Sequence, residues 1–315
     1  MKLSIITPIY DVEKYIAHCA RSLFNQSGAD LEFIFVNDAT KDKSIEILRE
    51  VILKEFPHLQ EQIIIIDKQI NEGLPQARKT GISRASGDYI MHCDSDDWLA
   101  ENAIRTIAKK IEETSADIIY YNYFTSTKNQ HEVSHEKVFS NPVEYAKAIM
   151  SYSSNSGAFC WNKVIKRYLY QNVAVWPVQN MHEDVALMPQ VILQSHTLAF
   201  VETPLYHYRV SSSSSMSLDF NKNKEKKVQS QTNQLILINF LENQHRVEEF
   251  KRQYQQLISR CAYIEVFFNW QSVEKDHHYK QLWKIPVFFH FDVSIRKQIQ
   301  SRIVLSCYYL RRHFL

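Results

Sequence analysis

Residues 91–98 read MHCDSDDW, so three carboxylates, Asp94, Asp96 and Asp97, fall within four positions. Carboxylates ~5 Å apart repel by about 3 kcal/mol at an effective dielectric near 20, and a fold gains nothing from that alone. Such a cluster suits a divalent cation, which cancels the repulsion and takes hard oxygen ligands. Mg²⁺ and Mn²⁺ also keep positions open that phosphate oxygens fill. Neither GxxxxGK[ST] nor GxGxxG occurs, which excludes a P-loop and argues against an ordinary dinucleotide-binding turn. Phosphates bound here would rest on metal and cationic side chains. A second acidic pair, Glu183–Asp184, stands in MHEDVALMP.

The elements that position these groups alternate along the chain. LSIIT (3–7) reads as a buried strand ending at Pro8, followed by an amphipathic helix over 12–25. Strands are predicted at 31–36, 63–67, 88–93 and 117–123, with helices at 44–56, 74–85 and 101–114. Strand runs without polar alternation, separated by helices, specify an α/β fold with a mostly parallel sheet covered on both faces. Such sheets bind ligands at the carboxyl ends of their strands. Thr7-Pro8-Ile9-Tyr10-Asp11, Asn37-Asp38, Asp67 and Asp94-Ser95-Asp96-Asp97 each follow a predicted strand, so acidic groups converge on one edge. Residues 126–140 are polar and read as a surface excursion, and 142–209 as a second ordered stretch. Residues 211–220 read as a serine-rich loop, and 221–315 as a helical C-terminal appendage.

Composition narrows the classes. With 315 residues, 45% apolar and 12% aromatic, the chain can bury a sizeable core. A net charge of +2 gives no reason to expect nucleic acid. Five scattered cysteines without CxxC fit reduced thiols. The N-terminus lacks a signal-peptide pattern, and no apolar run reaches a membrane span, so a cytoplasmic location is expected. Residues 245–315 hold 12 Lys+Arg against 6 Asp+Glu, and the last stretch mixes basic and apolar side chains. That pattern fits a packed helix or a homodimer contact. It also fits peripheral docking on the anionic inner face of the cytoplasmic membrane.

Five motifs appear in order: SIITPIYDVEKYI, FIFVNDATKDKS, NEGLPQARKTGI, GDYIMHCDSDDW and HEDVALMPQVI. Together they resemble glycosyltransferase family 2, the inverting nucleotide-sugar transferases with a GT-A fold, over roughly residues 1–210. The bacterial enzymes that build capsule, exopolysaccharide or lipopolysaccharide look most similar. The resemblance implies a nucleotide-sugar half over about 1–98 and an acceptor half over about 99–210. Thr7, Pro8, Tyr10 and Asp11 would line a uridine pocket. Asp38 would accept the uracil N3–H, with Asn37 standing where the family commonly has a second acid. Arg78 would contact the nucleotide, as would Asp94 and Ser95, and Gly81 would let its helix pack closely. Asp94 would also meet metal-bound water, and Asp96 would ligate the metal. Asp97 would cap the following helix or support Asp96. Asp184 would be the base and Glu183 its orienting neighbour. Pro189 is uncomfortable inside a helix, which places this pair in a turn ahead of a helix starting near Met188. In LYHYRVSSSSSMS, Arg209 would hold the diphosphate and His207 would be a third metal ligand. The loop beyond would close over the donor. Trp161 and Lys163 would shape the acceptor and sugar pocket.

The resemblance therefore implies Mn²⁺- or Mg²⁺-dependent transfer from a UDP-sugar to a hydroxyl of a bacterial surface glycan or lipid-linked glycan. Two alternatives stand beside it. A metal-dependent nucleotidyltransferase would carry a glycine-rich basic loop where this chain has TPIYDVEKY. A non-catalytic nucleotide- or glycan-binding relative would bind UDP without turnover. Plain structural roles are also open: a packed imidazole for His207, a helix cap for Asp184, a turn for Asp38, a surface position for Arg78.

Overall fold

The computed structural model describes residues 1–127, 131–210 and 223–268, with side chains to residue 261 in the last segment. The chain divides into two units, Met1–Leu218 and Asp219–Leu315.

The first unit follows the predicted alternation: β1 (Lys2–Ile9), α1 (Ile16–Phe24), β2 (Asp30–Asn37), α2 (Ser44–Glu55), β3 (Ile63–Asp67), α3 (Leu74–Arg84) and β4 (Tyr89–His92). Next come β5 (Trp98–Leu99), α4 (Ala103–Thr114), β6 (Ile118–Tyr121), β7 (Tyr123–Ser126), β8 (His131–Ser134) and α5 (Pro142–Met150). The unit ends with β9 (Lys163–Lys166), α6 (Glu183–Ile192), β10 (Leu198–Val201) and β11 (Tyr206–Arg209). Seven strands form one sheet in the order β10-β6-β9-β4-β1-β2-β3. All neighbours are parallel except β9, which runs antiparallel between β4 and β6. Four others form a small sheet, β5-β11-β7-β8.

Period and burial agree with these elements. α1 buries Ile16, Cys19, Ala20, Leu23 and Phe24, one helical stripe. β1 buries seven of its eight residues, as an interior parallel strand must. It runs past Pro8 to Ile9, one correction to the sequence reading. The reason is geometric. Cys93 N–H donates to Ile6 O at 3.0 Å and Asp38 N–H to Ile9 O at 3.0 Å, so even positions of β1 face β4 and odd positions face β2. The β1–β4 register ends at Ile6↔His92, and the missing N–H of Pro8 falls beyond the ladder. The polar excursion at 126–140 is a second difference. It contains β8, which pairs with β7 and adds an edge to the small sheet.

Two glycines position α3. A Cβ on Gly81 would lie 2.3 Å from Ile6 Cγ2, so the glycine lets this helix sit close on β1. Gly73 precedes the helix at φ +87°, in the left-handed region.

In the second unit, α7 (Lys224–Asn243) begins at Asn223, whose side chain accepts from Lys226 N–H at 3.1 Å. It packs with α8 (Lys251–Phe268), and Gln231 Nε2 donates to Cys261 O at 3.4 Å. The serine-rich stretch 211–217 and the basic segment beyond 268 lie outside the described residues. Among the described residues, no helix is long and apolar enough to cross a membrane.

Candidate active site

The carboxyl edge of β1, β2 and β3 gathers the first set of candidate residues. Asp38 is buried, and both of its oxygens are engaged. Oδ1 accepts from Lys68 Nζ at 2.7 Å and Glu72 N–H at 3.1 Å, and Oδ2 from Gly73 N–H at 2.8 Å. Burial works against the Lys68 charge, but Asp38 and Glu72 together hold its pKa above the usual value. Asp42 ties the neighbouring loops, accepting from Glu13 N–H, Ser44 N–H and the hydroxyls of Thr40 and Ser44. Asp11 takes a left-handed φ of 56° and donates its N–H to Thr40 Oγ1 at 2.9 Å. Thr7 and Pro8 are buried, whereas Tyr10 is 50% exposed at the rim.

The DSD turn follows β4. Asp97 N–H donates to Asp94 O at 3.0 Å and closes it. Tyr206 receives the Asp94 N–H at 3.0 Å and donates its hydroxyl to Asp97 Oδ2 at 2.7 Å. Arg209 N–H donates to Asp97 Oδ1 at 2.7 Å. Asp97 therefore fastens the turn to β11. It does not cap α4, whose preceding residue is Asn102, so the expected cap is replaced by a link to residues more than a hundred positions away. Burial, with Asp96 and Asp94 beside it, pushes the Asp97 carboxyl well above the usual range. Burial and Asp94 raise Asp96 to about 6, against Arg209. Arg209 donates Nε to Asp96 O at 2.8 Å, and its guanidinium lies 3.2 Å over the Tyr15 ring. Its Nη2 stands 3.9 Å from Asp96 Oδ2. Ser95 is buried in the same turn.

The Glu183–Asp184 pair opens α6 rather than preceding it, a third correction. Pro189 sits inside this helix, which runs on through it to Ile192. Glu183 is 4% exposed. Arg78, 2% exposed, reaches it from α3: Nη1 bonds Glu183 Oε1, and Nη2 bonds Asp94 Oδ1 at 2.7 Å. One guanidinium thus joins the two acidic motifs. Burial opposes its charge, but Asp94 with Cys160 and Asp184 nearby together more than offset it, so its pKa lies above the ordinary value. Asp184 is partly exposed, and its Oδ1 accepts from Val185 N–H at 2.8 Å. Behind the bridge, His92 is fully buried, and burial with the nearby Arg78 charge keeps it far below its usual pKa.

The candidates on the acceptor side are packed inward. Trp161 is 3% exposed and stacks on Phe159 and Tyr206 at ring distances of 4.6 and 4.5 Å. Lys163 is 1% exposed, and its Nζ donates to Gly157 O, Phe159 O and Asn162 Oδ1 at 2.6–2.8 Å. Burial lowers its pKa to about 8. Both residues can shape a pocket wall from behind, and all three ammonium protons of Lys163 are already used. His207 lies between Trp98 and Phe124, stacked at 4.8 and 4.4 Å, with Nδ1 3.1 Å from Ser126 Oγ. Burial, with His131 and His18 near, lowers its pKa to about 4. Among the described residues, no group of three His, Cys, Asp or Glu side chains is placed to hold a metal ion, so His207 is not joined to Asp94 and Asp96. Asp94 and Asp96 alone still fit a small divalent ion. Mg²⁺-type sites take one or two carboxylates and complete themselves with water and phosphate oxygens.

Residues 4–195 match the model of Glycosyl transferase family 2. The chain belongs to that family. It is a glycosyltransferase, which sets nucleotidyl transfer aside. It is 31% identical over 219 residues to glycosyltransferase GlyA of Streptococcus pneumoniae, a match covering 66% of this chain and 30% of GlyA. It is 27% identical over 299 residues to the putative glycosyltransferase EpsH of Bacillus subtilis, covering 90% of this chain and 82% of that one. Among solved structures, residues 1–349 of S. aureus TarS in complex with UDP-GlcNAc superpose with a TM-score of 0.63 at 18% identity, covering 100% of this chain and 93% of that one. The fold is thereby the GT-A type.

Three participants escaped the sequence reading. Lys68 directly follows a strand-end aspartate, a position that could have drawn notice. Tyr206 lies in the YHYR stretch, where His207 and Arg209 carry the more obvious chemistry. The Arg78–Glu183 pair joins positions 105 apart and leaves no local signal.

Proposed function

We propose that this glycosyltransferase moves a sugar from a UDP-sugar to a hydroxyl of a bacterial cell-envelope glycan, with inversion at the anomeric carbon. The observation that carries the reading is the meeting of the DSD turn and the first turn of α6 on Arg78. It links the DSD turn, which would face the diphosphate, to the residue beside the partly exposed Asp184. The match to the minor teichoic acid biosynthesis protein GgaB of Bacillus subtilis, 28% identical over 213 residues, supports an envelope acceptor. The UDP-GlcNAc bound to TarS supports a UDP-linked donor.

In-line displacement needs a base on the acceptor side and charge stabilisation on the leaving group. Asp184 is the base. Its Oδ1 is oriented by Val185 N–H, and Oδ2 takes the proton of the attacking hydroxyl. Glu183 orients the first turn of α6 through Arg78. Arg209 faces the diphosphate beside Asp96. Asp94 and Asp96 would hold a divalent cation, which supplies neutralisation of the leaving diphosphate when bound. A mannosyltransferase of Pyrobaculum calidifontis solved with GDP-Man and Mn²⁺ shares the fold at a TM-score of 0.52 and 12% identity. Thr7, Pro8, Tyr10, Asp11 and Asp38 would line the nucleoside side.

Calorimetric titration of UDP, with Mn²⁺ and with EDTA, tests this on wild type and Asp96→Ala. Metal-dependent binding weakened by the substitution is the expected outcome. Binding that ignores both Mn²⁺ and Asp96 would remove the DSD turn from the donor site.

A further inference from the structure

Arg78 is too deep to be an ordinary nucleotide ligand: only 2% of it is exposed, and two of its nitrogens already hold carboxylates from the two motifs. We infer that Arg78 is a positioning residue that carries the state of the DSD turn into the first turn of α6, and through it sets Asp184. The inference rests on the function proposed above.

Three further contacts make the lever stiff. The close seat of Gly81 on Ile6 leaves α3 no room to sink toward the sheet. Asn180 Oδ1 accepts from Leu74 N–H at 2.9 Å, and Trp176 Nε1 donates to Pro75 O at 2.8 Å. The segment leading into α6 is thus clamped to the start of α3. Arg78 adds the last clamp, from the second turn of α3 to the first residue of α6. A ligand that draws on Asp94 changes the Asp94–Arg78 half of the bridge. The planar fork transmits that change to Glu183, whose buried carboxylate cannot leave its partner cheaply. Asp184 is the next residue, and its charge lies close enough to Arg78 to help hold the guanidinium protonated. Lysine at position 78 offers a point charge without the planar fork, so it does not hold two carboxylates in one fixed relative geometry.

Hydrogen exchange over residues 182–188, with and without UDP plus Mn²⁺, tests the link without knowledge of the sugar or the acceptor. Calorimetry of the same samples reports UDP affinity. In wild type, UDP with Mn²⁺ should slow exchange in this segment about tenfold. Arg78→Lys should bind UDP within about threefold of wild type yet slow the segment less than about twofold. Undiminished protection in a variant that still binds UDP would overturn the inference. So would a loss of UDP affinity beyond about tenfold, which marks a direct nucleotide ligand. If Arg78→Lys does not fold, Glu183→Gln cuts the far end of the bridge and should give the same uncoupling. Wild type that binds no UDP fails at an earlier point: it removes the proposed function, and the inference with it.

Discussion

Two groups of aspartates sit on the same sheet edge and are treated in opposite ways. Asp38 and Asp42, after β2, are supplied with donors from the protein, three to the first and four to the second. Asp94 and Asp96, after β4, face each other with Arg78 and a distant Arg209 as counter-charges, and Asp96 is left at a raised pKa of about 6. The first group holds loops. The second keeps unmet demand for positive charge, which is what a ligand-binding site requires. Asp97 shows that the sorting is made residue by residue: one position from Asp96, its carboxylate is consumed by Tyr206 and Arg209.

Substitutions can break this contrast. The largest effect belongs to Asp184, which lies with the second group. Asp184→Asn should cut transfer by about a thousandfold, near 4 kcal/mol, with UDP affinity and Tm close to wild type. Rate, calorimetry and thermal melts on one preparation decide it. A variant that loses rate and stability together would instead make Asp184 a helix-start residue.

Asp38→Asn should act in the reverse way. It leaves the Lys68 ammonium, whose side chain is 8% exposed, with only the half-exposed Glu72 as a charge partner. The loss should be about 2 kcal/mol of stability, seen as a lower denaturation midpoint without any ligand. A stable variant with weakened UDP binding would leave Asp38 with nucleoside recognition and no loop-holding role.

Asp96→Asn sharpens the contrast from the other side. It should weaken UDP binding in Mn²⁺ by about 10- to 100-fold, while stability in EDTA stays level or rises, because a carboxylate beside Asp94 is removed. A large fall in stability in EDTA would place Asp96 with the loop-holding aspartates.

The contrast explains which parts of the molecule were legible in the sequence. Strand–helix alternation in the first 120 residues reads directly from period and burial, and DSD and ED are visible because acids cluster at strand or helix ends. What each acid does depends on partners brought in by the fold. Asp97 looks like a cap until β11 arrives with Tyr206 and Arg209. Arg78 looks like a helix-surface or nucleotide-facing cation until Glu183 arrives from position 183 to cover it. Pro189 predicts a helix start near Met188, but burial of α6 from Val185 to Ile192 outweighs the lost hydrogen bond of one proline. β9 inserts antiparallel between β4 and β6, and strand order of that kind has no local signature. Trp161 and Lys163 had the residue types of a binding wall and the burial of a core.

The smallest effect concerns an imidazole, where burial acts with the opposite sign. His207 is held neutral between Trp98 and Phe124, with a pKa near 4 against an ordinary value of 6.5. Its folded pKa is depressed, so the unfolded chain takes up this proton first. Stability linked to His207 is therefore intact above pH 6.5 and lost as pH falls toward 4. Half-burial and solvent screening reduce the loss to about 1 kcal/mol. His207→Phe keeps the ring stack and removes the proton, so denaturation midpoints of wild type and variant should agree at pH 7.5 and separate at pH 4.5, the variant being the more stable. Equal acid sensitivity in both would shift the acid response to other groups, the DSD turn excepted. The Asp96 and Asp97 carboxyls have raised pKa values and gain stability on protonation, so acid relieves the very turn that neutral pH keeps short of positive charge.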